Sequence, residues 1–337
     1  MIKTLIIAIS VLGLLSACSS HRLSQGRSFR LTEVDFSDLP GWEESDLKQA
    51  LPALQNACIK PTSEWTKFCK NLPSYTSNSK LRSYLEKNLT PYQVSSNGKT
   101  TGKITGYYEA ELTGTRSHLN GVQMPIYGLP KGFKKGDKLA SRRDIERDRD
   151  FEAPIIAWAD DPVELFILHV QGSGRMMTPD GEIRLGYAGN NGHTFKGIGS
   201  ILADEDLLDE AGHSMSQIRD WLQEHPKQAL ELMSRNPRYI FFKEMTGETP
   251  IGTGGVPLTA KHSVAVDADY IPMQTPMWLT TQDPDGIPMQ QLVVAQDTGN
   301  AIKGGIRADF FWGHGEEAFN KAGRMNQQGS YYLLLPD

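Results

Sequence analysis

The sequence predicts a mainly β fold with peripheral helices, divided into about two domains. After Gly102 the chain consists of short candidate strands separated by glycine, proline and asparagine, which is a pattern typical of all-β folds. Long helices do not alternate with these strands, so barrels are favoured over a doubly wound parallel sheet. The length of 337 residues agrees with a two-domain chain.

The order of elements follows from turn, capping and periodicity signals. Three helices are expected between residues 44 and 90: one capped by Ser45 or Asp46 and kinked at Pro52, one beginning at Thr62 or Ser63, and one ending near Pro91. Later helices are expected at 195–202, 214–224, 226–236 and 316–324. Strands are expected at 103–112, 124–127, 155–158, 165–171, 182–187, 238–243, 263–268, 277–280, 292–295 and 331–335.

Composition excludes two broad classes of protein. Hydrophobic residues make up 39% of the chain and charged residues 22%, which excludes intrinsic disorder as the main state. The formal net charge is −5 with no long basic run, so a nucleic-acid partner held through its phosphates is not expected.

The N-terminus predicts a lipoprotein. Residues 1–17 combine Lys3 with an apolar run that is too short for a membrane-spanning helix, which is typical of a signal peptide. The sequence Leu15-Ser16-Ala17-Cys18 matches the bacterial lipobox, in which the cysteine receives the lipid; an ordinary secretory signal with a chance cysteine is the alternative. Ser19 resembles the residue that follows the cysteine in lipoproteins of the outer membrane. We therefore expect a protein anchored to outer-membrane lipid through Cys18, facing the periplasm, with residues 18–40 as a tether.

The two remaining cysteines, Cys58 and Cys69, form an even pair in an oxidising compartment. Such a pair favours a disulfide that closes a short loop, and two buried free thiols are the alternative.

No metal site or other cofactor is expected. The histidines are scattered without metal-ligand spacing. The glycine clusters at 197–199 and 252–255 lack the spacing of a dinucleotide loop, and no Walker A lysine follows them, so we interpret them as turns.

Three aspartates near the C-terminus are candidates for chemistry. Asp267 closes an apolar run, Asp297 precedes a turn, and Asp309 lies inside the aromatic run 308–312. Burial among aromatic rings would raise the pKa of Asp309, which makes it a candidate general acid. The alternatives are that Asp297 forms an Asx turn, Asp267 caps a strand and Asp309 faces water.

These three aspartates, together with the segments 297–304 and 307–313, resemble the three-aspartate or 3D domain, a double-psi β-barrel. Upstream motifs in the matching order resemble the membrane-bound lytic murein transglycosylase A family; they lie at 105–109, 169–174, 186–193 and 236–242. The resemblance extends from about residue 100 to the C-terminus. It implies a double-psi barrel formed by residues 41–109 and 245–337. A second β-domain, residues 110–244, would be inserted into the barrel, with a saccharide cleft between the two.

The resemblance also implies a function. The family cleaves the β-1,4 bond between N-acetylmuramic acid and N-acetylglucosamine in peptidoglycan without water, because the C6 hydroxyl of the muramoyl ring attacks and leaves a 1,6-anhydro sugar. By correspondence, Asp309 would serve first as acid and then as base. Asp297 would raise the pKa of Asp309 and orient it, and Asp267 would hold the cleft loops. The implied partners are glycan strands of peptidoglycan, with other wall enzymes left open, and no cofactor is implied.

The same motifs supply candidate substrate-binding residues, for which tight turns or loop stabilisation are the alternative roles. They are Thr105, Gly106, Tyr107, Gln171, Gly172, Ser173, Gly174, Tyr187, Asn190 and His193. Two rival functions also remain at this stage. One is a peptidoglycan hydrolase that uses Asp309 with Asp297, and the other is a non-catalytic barrel that binds the wall.

Overall fold

The computed structural model describes residues 29–336, apart from residues 75, 120–122, 149, 206, 208–213 and 248. The predicted signal peptide and Cys18 lie outside the described residues. Within the described part, no helix has the length and apolar character that crossing a membrane requires.

The strands are β1 (Phe29–Glu33), β2 (Leu89–Ser96), β3 (Gly102–Thr115), β4 (Met124–Tyr127), β5 (Ile155–Ala159), β6 (Gly174–Thr178), β7 (Gly181–Asn190), β8 (Ile240–Glu244), β9 (Ser263–Val266), β10 (Pro276–Gln282), β11 (Pro288–Asp297), β12 (Arg307–His314) and β13 (Asn326–Pro336). The α-helices are α1 (Leu51–Ala57), α2 (Thr66–Asn71), α3 (Asn78–Asn88), α4 (Arg142–Arg147), α5 (Pro162–Gln171), α6 (Ile198–Asp204), α7 (Met215–Glu224), α8 (Pro226–Ser234) and α9 (Gly315–Arg324).

Six strands close into a barrel. They are hydrogen-bonded in the order β13–β10–β11–β9–β12–β3, and β3 pairs with β13 again to complete the circle. The pairs β12–β3 and β11–β9 are parallel. Strands alternate between a core face and an outer face, and the core face contributes fully buried side chains such as Val264, Leu279, Phe310 and Tyr331.

A second β unit grows out of the barrel through β3. This strand has 14 residues: its first part pairs with β12 and β13, and its last residues pair with β6 and β5. Strands β6, β7 and β8 continue this second sheet, and β4 pairs with β5. The predicted mainly β fold, with a barrel and a second β unit, is confirmed.

One predicted strand is wrong. Residues 165–171 belong to helix α5. Asp161 caps this helix by accepting hydrogen bonds from the backbone N–H groups of Val163 and Glu164, Pro162 occupies the first turn, and Gly172 ends it with a left-handed φ of 81°. A short apolar run is compatible with a buried helix as well as with a strand. The capping residues, rather than the hydrophobic pattern, indicate the helix here.

The predicted tether of residues 18–40 is too long. Phe29–Glu33 form β1, which pairs antiparallel with β2, and Phe29 and Leu39 are buried. Most of β1 is at least partly exposed. Its sequence is therefore polar, and it lacks the apolar alternation by which a strand is predicted. Strand β2 was also missed, because Pro91 near its start suggested a chain break.

The N-terminal helices pack on the barrel. The kink predicted at Pro52 corresponds to a change from a 3-10 turn, Leu47–Ala50, to α1, in which Pro52 lies in the first turn. A disulfide between Cys58 and Cys69 then closes the loop before α2, with the two Cα atoms 5.2 Å apart. The Asn56 amide beside this loop donates hydrogen bonds to Pro257 O (3.1 Å) and Thr259 Oγ1 (3.2 Å), which fixes the loop against the barrel.

Candidate active site

A groove runs between the barrel and the second β unit. It consists of a central cavity of about 320 Å³, flanked by cavities of about 760 Å³ and about 350 Å³. Gln171 lines all of them, which makes the groove continuous. The central cavity is lined by Asp297 and Asp309 from the barrel and by Gln171 and Tyr187 from the second unit. The substrate cleft that the sequence predicts between the two units therefore corresponds to this groove.

Asp309 lies on β12 opposite Thr105 of β3. The Thr105 hydroxyl donates a hydrogen bond to Asp309 Oδ1, and the same hydroxyl accepts one from Arg307 Nη2 at 2.8 Å. Among the described residues, Asp309 Oδ2 has no hydrogen-bonding partner. It is nevertheless accessible to solvent, since it is not among the buried polar atoms that lack a partner. One carboxylate oxygen is thus held in place, and the other is available to the groove.

Burial raises the pKa of Asp309 above its ordinary value. The hydrogen bond from Thr105 and the charge of Arg307 oppose this shift, while the charge of Asp297 adds to it. On the same face of β12, the ring of Phe311 packs against Tyr107 of β3 with 5.1 Å between centroids. Burial and the charge of Asp297 thus make Asp309 easier to protonate than an exposed aspartate.

Asp297 lies at the end of β11, next to a bulge in its pairing with β9. Its Oδ1 accepts hydrogen bonds from the backbone N–H groups of Thr253 and Thr298, both at 2.9 Å, and its Oδ2 accepts one from Tyr107 Oη at 3.2 Å. Burial raises the pKa of Asp297, and these donors limit the rise. Burial together with Asp297 and Asp309 raises the pKa of Tyr107 well above its ordinary value, so its hydroxyl remains a donor.

Asp267 follows β9 and is only 3% exposed. Its carboxylate accepts hydrogen bonds from Gly304 N (2.8 Å), Lys303 Nζ (3.2 Å) and Asp269 N (3.3 Å). Burial alone would raise its pKa, but these donors together hold the pKa below its ordinary value. Asp267 is therefore an anion that fastens the loop between β11 and β12, and it lines the 760 Å³ cavity rather than the central one.

The predicted substrate-binding residues fall into two groups. Most of them line the groove: Thr105, Gly106, Tyr107, Gln171, Gly172, Ser173 and Tyr187. Gly174, Asn190 and His193 line none of the three cavities.

Gly174, Asn190 and His193 instead pack against or hydrogen-bond to other parts of the second β unit. A Cβ on Gly174 would lie 2.7 Å from Ala110 O, so this glycine permits close packing of β3 and β6. The Asn190 amide donates a hydrogen bond to Tyr187 Oη. A ring nitrogen of His193, Nε2, lies 2.8 Å from Leu139 O. For these three residues the structure favours the alternative of turn or loop stabilisation.

Arg307, Arg238 and His169 line the central cavity. They lie within the motifs of the family resemblance but were not named as site residues. Arg307 lies two residues before Asp309 on one strand, so strand periodicity could have placed both on one face. His169 accepts a hydrogen bond from Ile240 N through Nδ1 (3.1 Å), and burial lowers its pKa well below the ordinary value. Within the described residues, no three His, Cys, Asp or Glu side chains converge as a metal centre would require.

Comparisons with known proteins agree with this geometry. The family described as "MltA specific insert domain" matches residues 103–243, and the 3D domain matches residues 262–335. The membrane-bound lytic murein transglycosylase A of Escherichia coli (strain K12) is 34% identical over 241 residues, which cover 69% of this chain and 65% of that protein. A homolog from Buchnera aphidicola is 32% identical over 241 residues, 66% of its length. The chain thus matches slightly less than two thirds of the length of these curated relatives.

Solved structures match over more of the chain. The crystal structure of MltA from Neisseria gonorrhoeae is 32% identical with a TM-score of 0.82, and the match covers 92% of this chain and 94% of that one. A membrane-bound lytic murein transglycosylase from Agrobacterium tumefaciens is 32% identical with a TM-score of 0.80, covering 91% and 97%. The E. coli MltA structure with bound chitohexaose is 27% identical with a TM-score of 0.68, covering 92% and 94%. On this combined evidence of sequence, fold and groove, the chain belongs to the membrane-bound lytic murein transglycosylase A family.

Proposed function

We propose that the protein is a lytic transglycosylase that cleaves the β-1,4 bond between N-acetylmuramic acid and N-acetylglucosamine in peptidoglycan without water. The observation that carries the proposal is Asp309: a partly buried carboxyl group with a raised pKa, held through one oxygen by Thr105, with the other oxygen available to a long groove. The names of the relatives and the chitohexaose in a related structure support a glycan strand as the ligand of this groove.

In the proposed reaction, protonated Asp309 gives its proton to the glycosidic oxygen as the bond from that oxygen to C1 breaks. The C6 hydroxyl of the same muramoyl ring forms the new bond to C1, and its proton passes to the carboxylate of Asp309. The residue ends protonated as it began, and the products are a free N-acetylglucosamine end and a 1,6-anhydro end. One group can serve twice because the first transfer creates the base that the second requires.

Arg307 and Thr105 support the charged state of Asp309 between the two transfers. The chain of hydrogen bonds from Arg307 through Thr105 to Asp309 Oδ1 stabilises the anion once the proton has left. It also fixes the carboxyl plane, so that Oδ2 serves both proton transfers.

Asp297 is the residue on which a two-carboxylate hydrolase would depend, and it does line the central cavity with a raised pKa. Its oxygens already accept three hydrogen bonds, from Thr253, Thr298 and Tyr107. A carboxylate engaged in this way is a poor nucleophile or base, which favours a positioning role. We therefore place the hydrolase second and a non-catalytic barrel third.

The wider setting is part of the proposal. We propose that residues 41–109 and 245–337 make the double-psi barrel domain and residues 110–244 the inserted domain. The lipobox at Cys18 would anchor the protein to the outer membrane, facing the periplasm and the glycan strands. Other wall enzymes are candidate partners.

Digestion of purified sacculi tests the reaction class. The muramoyl ends should carry one water less in mass than hydrolysed ends, and Asp309→Asn should produce no new ends while still binding sacculi. Hydrolysed ends would support the two-carboxylate hydrolase instead, and the absence of new ends with the native chain would support the non-catalytic barrel.

A further inference from the structure

The two ends of the groove differ in charge. The 760 Å³ cavity is lined by Lys60, Lys135, Lys243 and Arg238, which we call the cationic arm. At the opposite end, Lys103 is the one cation among the residues that line the 350 Å³ cavity, and methionine, isoleucine and alanine side chains surround it. Uncharged N-acetylated sugars would require no such difference.

The cations of the arm come from both walls. Lys60 belongs to the N-terminal part that packs on the barrel, whereas Lys135, Arg238 and Lys243 belong to the second unit. Positive charge on facing walls of a groove raises the local potential and attracts an anion between them.

Three carboxylates line the same cavity, and none of them forms an ion pair with the cationic arm within the described residues. Asp267 is paired with Lys303 at 3.2 Å, Asp269 lies 4.0 Å from the same ammonium group, and Asp297 accepts its hydrogen bonds from Thr253, Thr298 and Tyr107. Lys60, Lys135 and Lys243 form no ion pair within the described part of the chain. Arg238 donates to the backbone oxygen of His193 and has no carboxylate partner there.

The disulfide loop and its contacts with the barrel fix the position of Lys60. It lies in the loop that the disulfide Cys58–Cys69 closes, beside the Asn56 amide that bonds the barrel backbone. Its ammonium group lies against Gly255, where an added Cβ would be 3.0 Å from Nζ. The loop thus holds a cation against the wall of the groove.

We propose that the cationic arm binds the carboxylates of the peptide stems attached to the glycan strand. This inference rests on the proposed function and names the part of the substrate that the arm recognises. Each muramoyl sugar carries its peptide through the lactyl group, so the stems lie beside any strand bound along the groove. The free carboxylates of the stems that lie beside the cationic arm supply the complementary negative charge, and this contact fixes the position of the strand along the groove.

An anionic lipid surface is the rival occupant. The cations line the walls of a concave groove, whereas a bilayer makes contact with protruding surfaces. The observations therefore favour a chain that enters the groove.

Binding of soluble glycan strands to the Asp309→Asn variant tests the proposal without turnover. Strands that keep their stems are compared with strands from which an amidase has removed them and in which the lactyl carboxylates freed by that cleavage have been converted to uncharged methylamides. We expect stem-bearing strands to bind about tenfold more tightly at low salt, since each exposed lysine–carboxylate contact contributes about two- to fivefold in Kd. The difference should shrink as salt is raised above about 0.1 M.

The combined change Lys60→Gln, Lys135→Gln and Lys243→Gln should abolish the preference for stems and leave binding of stem-free strands unchanged. Lys80→Gln is the matched control, because Lys80 is exposed on α3 and lines none of the cavities. Equal Kd values for both kinds of strand in the parent, or a preference for stems that survives the triple change, would overturn the inference.

Two further measurements separate the possible failures. If the native chain produces 1,6-anhydro ends equally well from both strands and without salt dependence, the proposed function stands and the role of the arm falls. If the preference for stems is present but no new ends form, binding of stem carboxylates by the cationic arm is supported and the catalytic proposal is wrong. Binding of the parent to anionic vesicles that the triple change abolishes, with strand binding unaltered, would assign the lysines to a membrane.

Discussion

Two regions of the groove, the strand that carries Asp309 and the loop that follows β9, bury an aspartate with opposite results. The pKa of Asp309 is raised and that of Asp267 is lowered. Asp267 receives two backbone N–H groups and an ammonium group, whereas Asp309 receives one hydroxyl. The comparison teaches that the donors around a carboxylate, more than its burial, decide whether it becomes a structural anion or an acid that can give up a proton.

The largest expected effect separates the two aspartates by activity. Asp309→Asn should lower kcat about 10³-fold or more, because it removes the group that gives and takes the proton. Asp267→Asn should lower kcat only about tenfold, through loss of loop order. Counting anhydro ends by mass spectrometry measures both. If the two variants had similar kcat values, the different roles assigned to Asp309 and Asp267 would be wrong.

The next effect is on stability, and the two substitutions should act in opposite directions near pH 7. Asp267→Asn loses charge-assisted hydrogen bonds and should lower the free energy of unfolding by about 2 kcal/mol. Asp309→Asn removes a carboxylate that is costly to ionise where it lies, and it should raise the free energy of unfolding by about 1 kcal/mol. Denaturant titration measures both, with circular dichroism as the control for fold.

The pH dependence of these stability differences follows from the sign of each pKa shift. The folded-state pKa of Asp267 is depressed, so its contribution is present above the unfolded pKa of about 3.9 and is lost as the pH falls through the lower folded value. The folded-state pKa of Asp309 is raised, so the native chain gains relative stability as the pH falls from that value towards about 3.9. Both differences from the native chain should therefore shrink at about pH 3. If they stay constant between about pH 3 and pH 7, the assigned charge states are wrong.

Thr105→Val should have a smaller effect on rate and a diagnostic one on pH. The Thr105 hydrogen bond lowers the pKa of Asp309, so its loss should move the basic limb of the kcat–pH profile to higher pH. The rate at neutral pH should fall about tenfold, because the anion loses its donor. Thr105→Ser keeps the hydroxyl and should restore the native profile, whereas a rate loss without a shifted limb would indicate only a packing defect.

Tyr107→Phe is expected to have the smallest effect. It removes one of the three donors to Asp297, which should raise the pKa of Asp297 further while leaving Asp309 bonded to Thr105. A loss of about threefold in kcat, with KM little changed, would fit a positioning role for Asp297. A loss as large as that of Asp309→Asn would require Asp297 to take part directly in the chemistry.

The sequence located most elements because local signals fixed them. Ser214 caps α7 with a capping box, and Pro226 starts α8, as predicted. Helix α5 and strand β1 were misread because the periodicity of a short buried run, or of a partly exposed edge, does not identify its structure. Pairing with β2 identifies β1, whereas the capping residues identify α5.

The candidate site was predictable in its residues but not in its electrostatics. The three aspartates stood out, and the family resemblance assigned them roles. Their charge states depend on Thr105 for Asp309, on Thr253 for Asp297 and on Gly304 for Asp267, which are distant in the chain. Only the fold brings such donors to their acceptors. The aromatic run around Asp309 predicted the direction of its pKa shift, but no local pattern predicted the lowered pKa of Asp267.

The position of β13 has a consequence for folding. This strand pairs with β10, β2 and β3, and it follows the other described strands in chain order. Strands β6, β7 and β8 pair within one continuous stretch of chain, whereas β13 closes the barrel by pairing with β2 and β3, which lie far from it in sequence. The wall of the groove that carries Asp309 therefore depends on long-range strand pairing and is expected to form later in folding than the wall built from β6, β7 and β8.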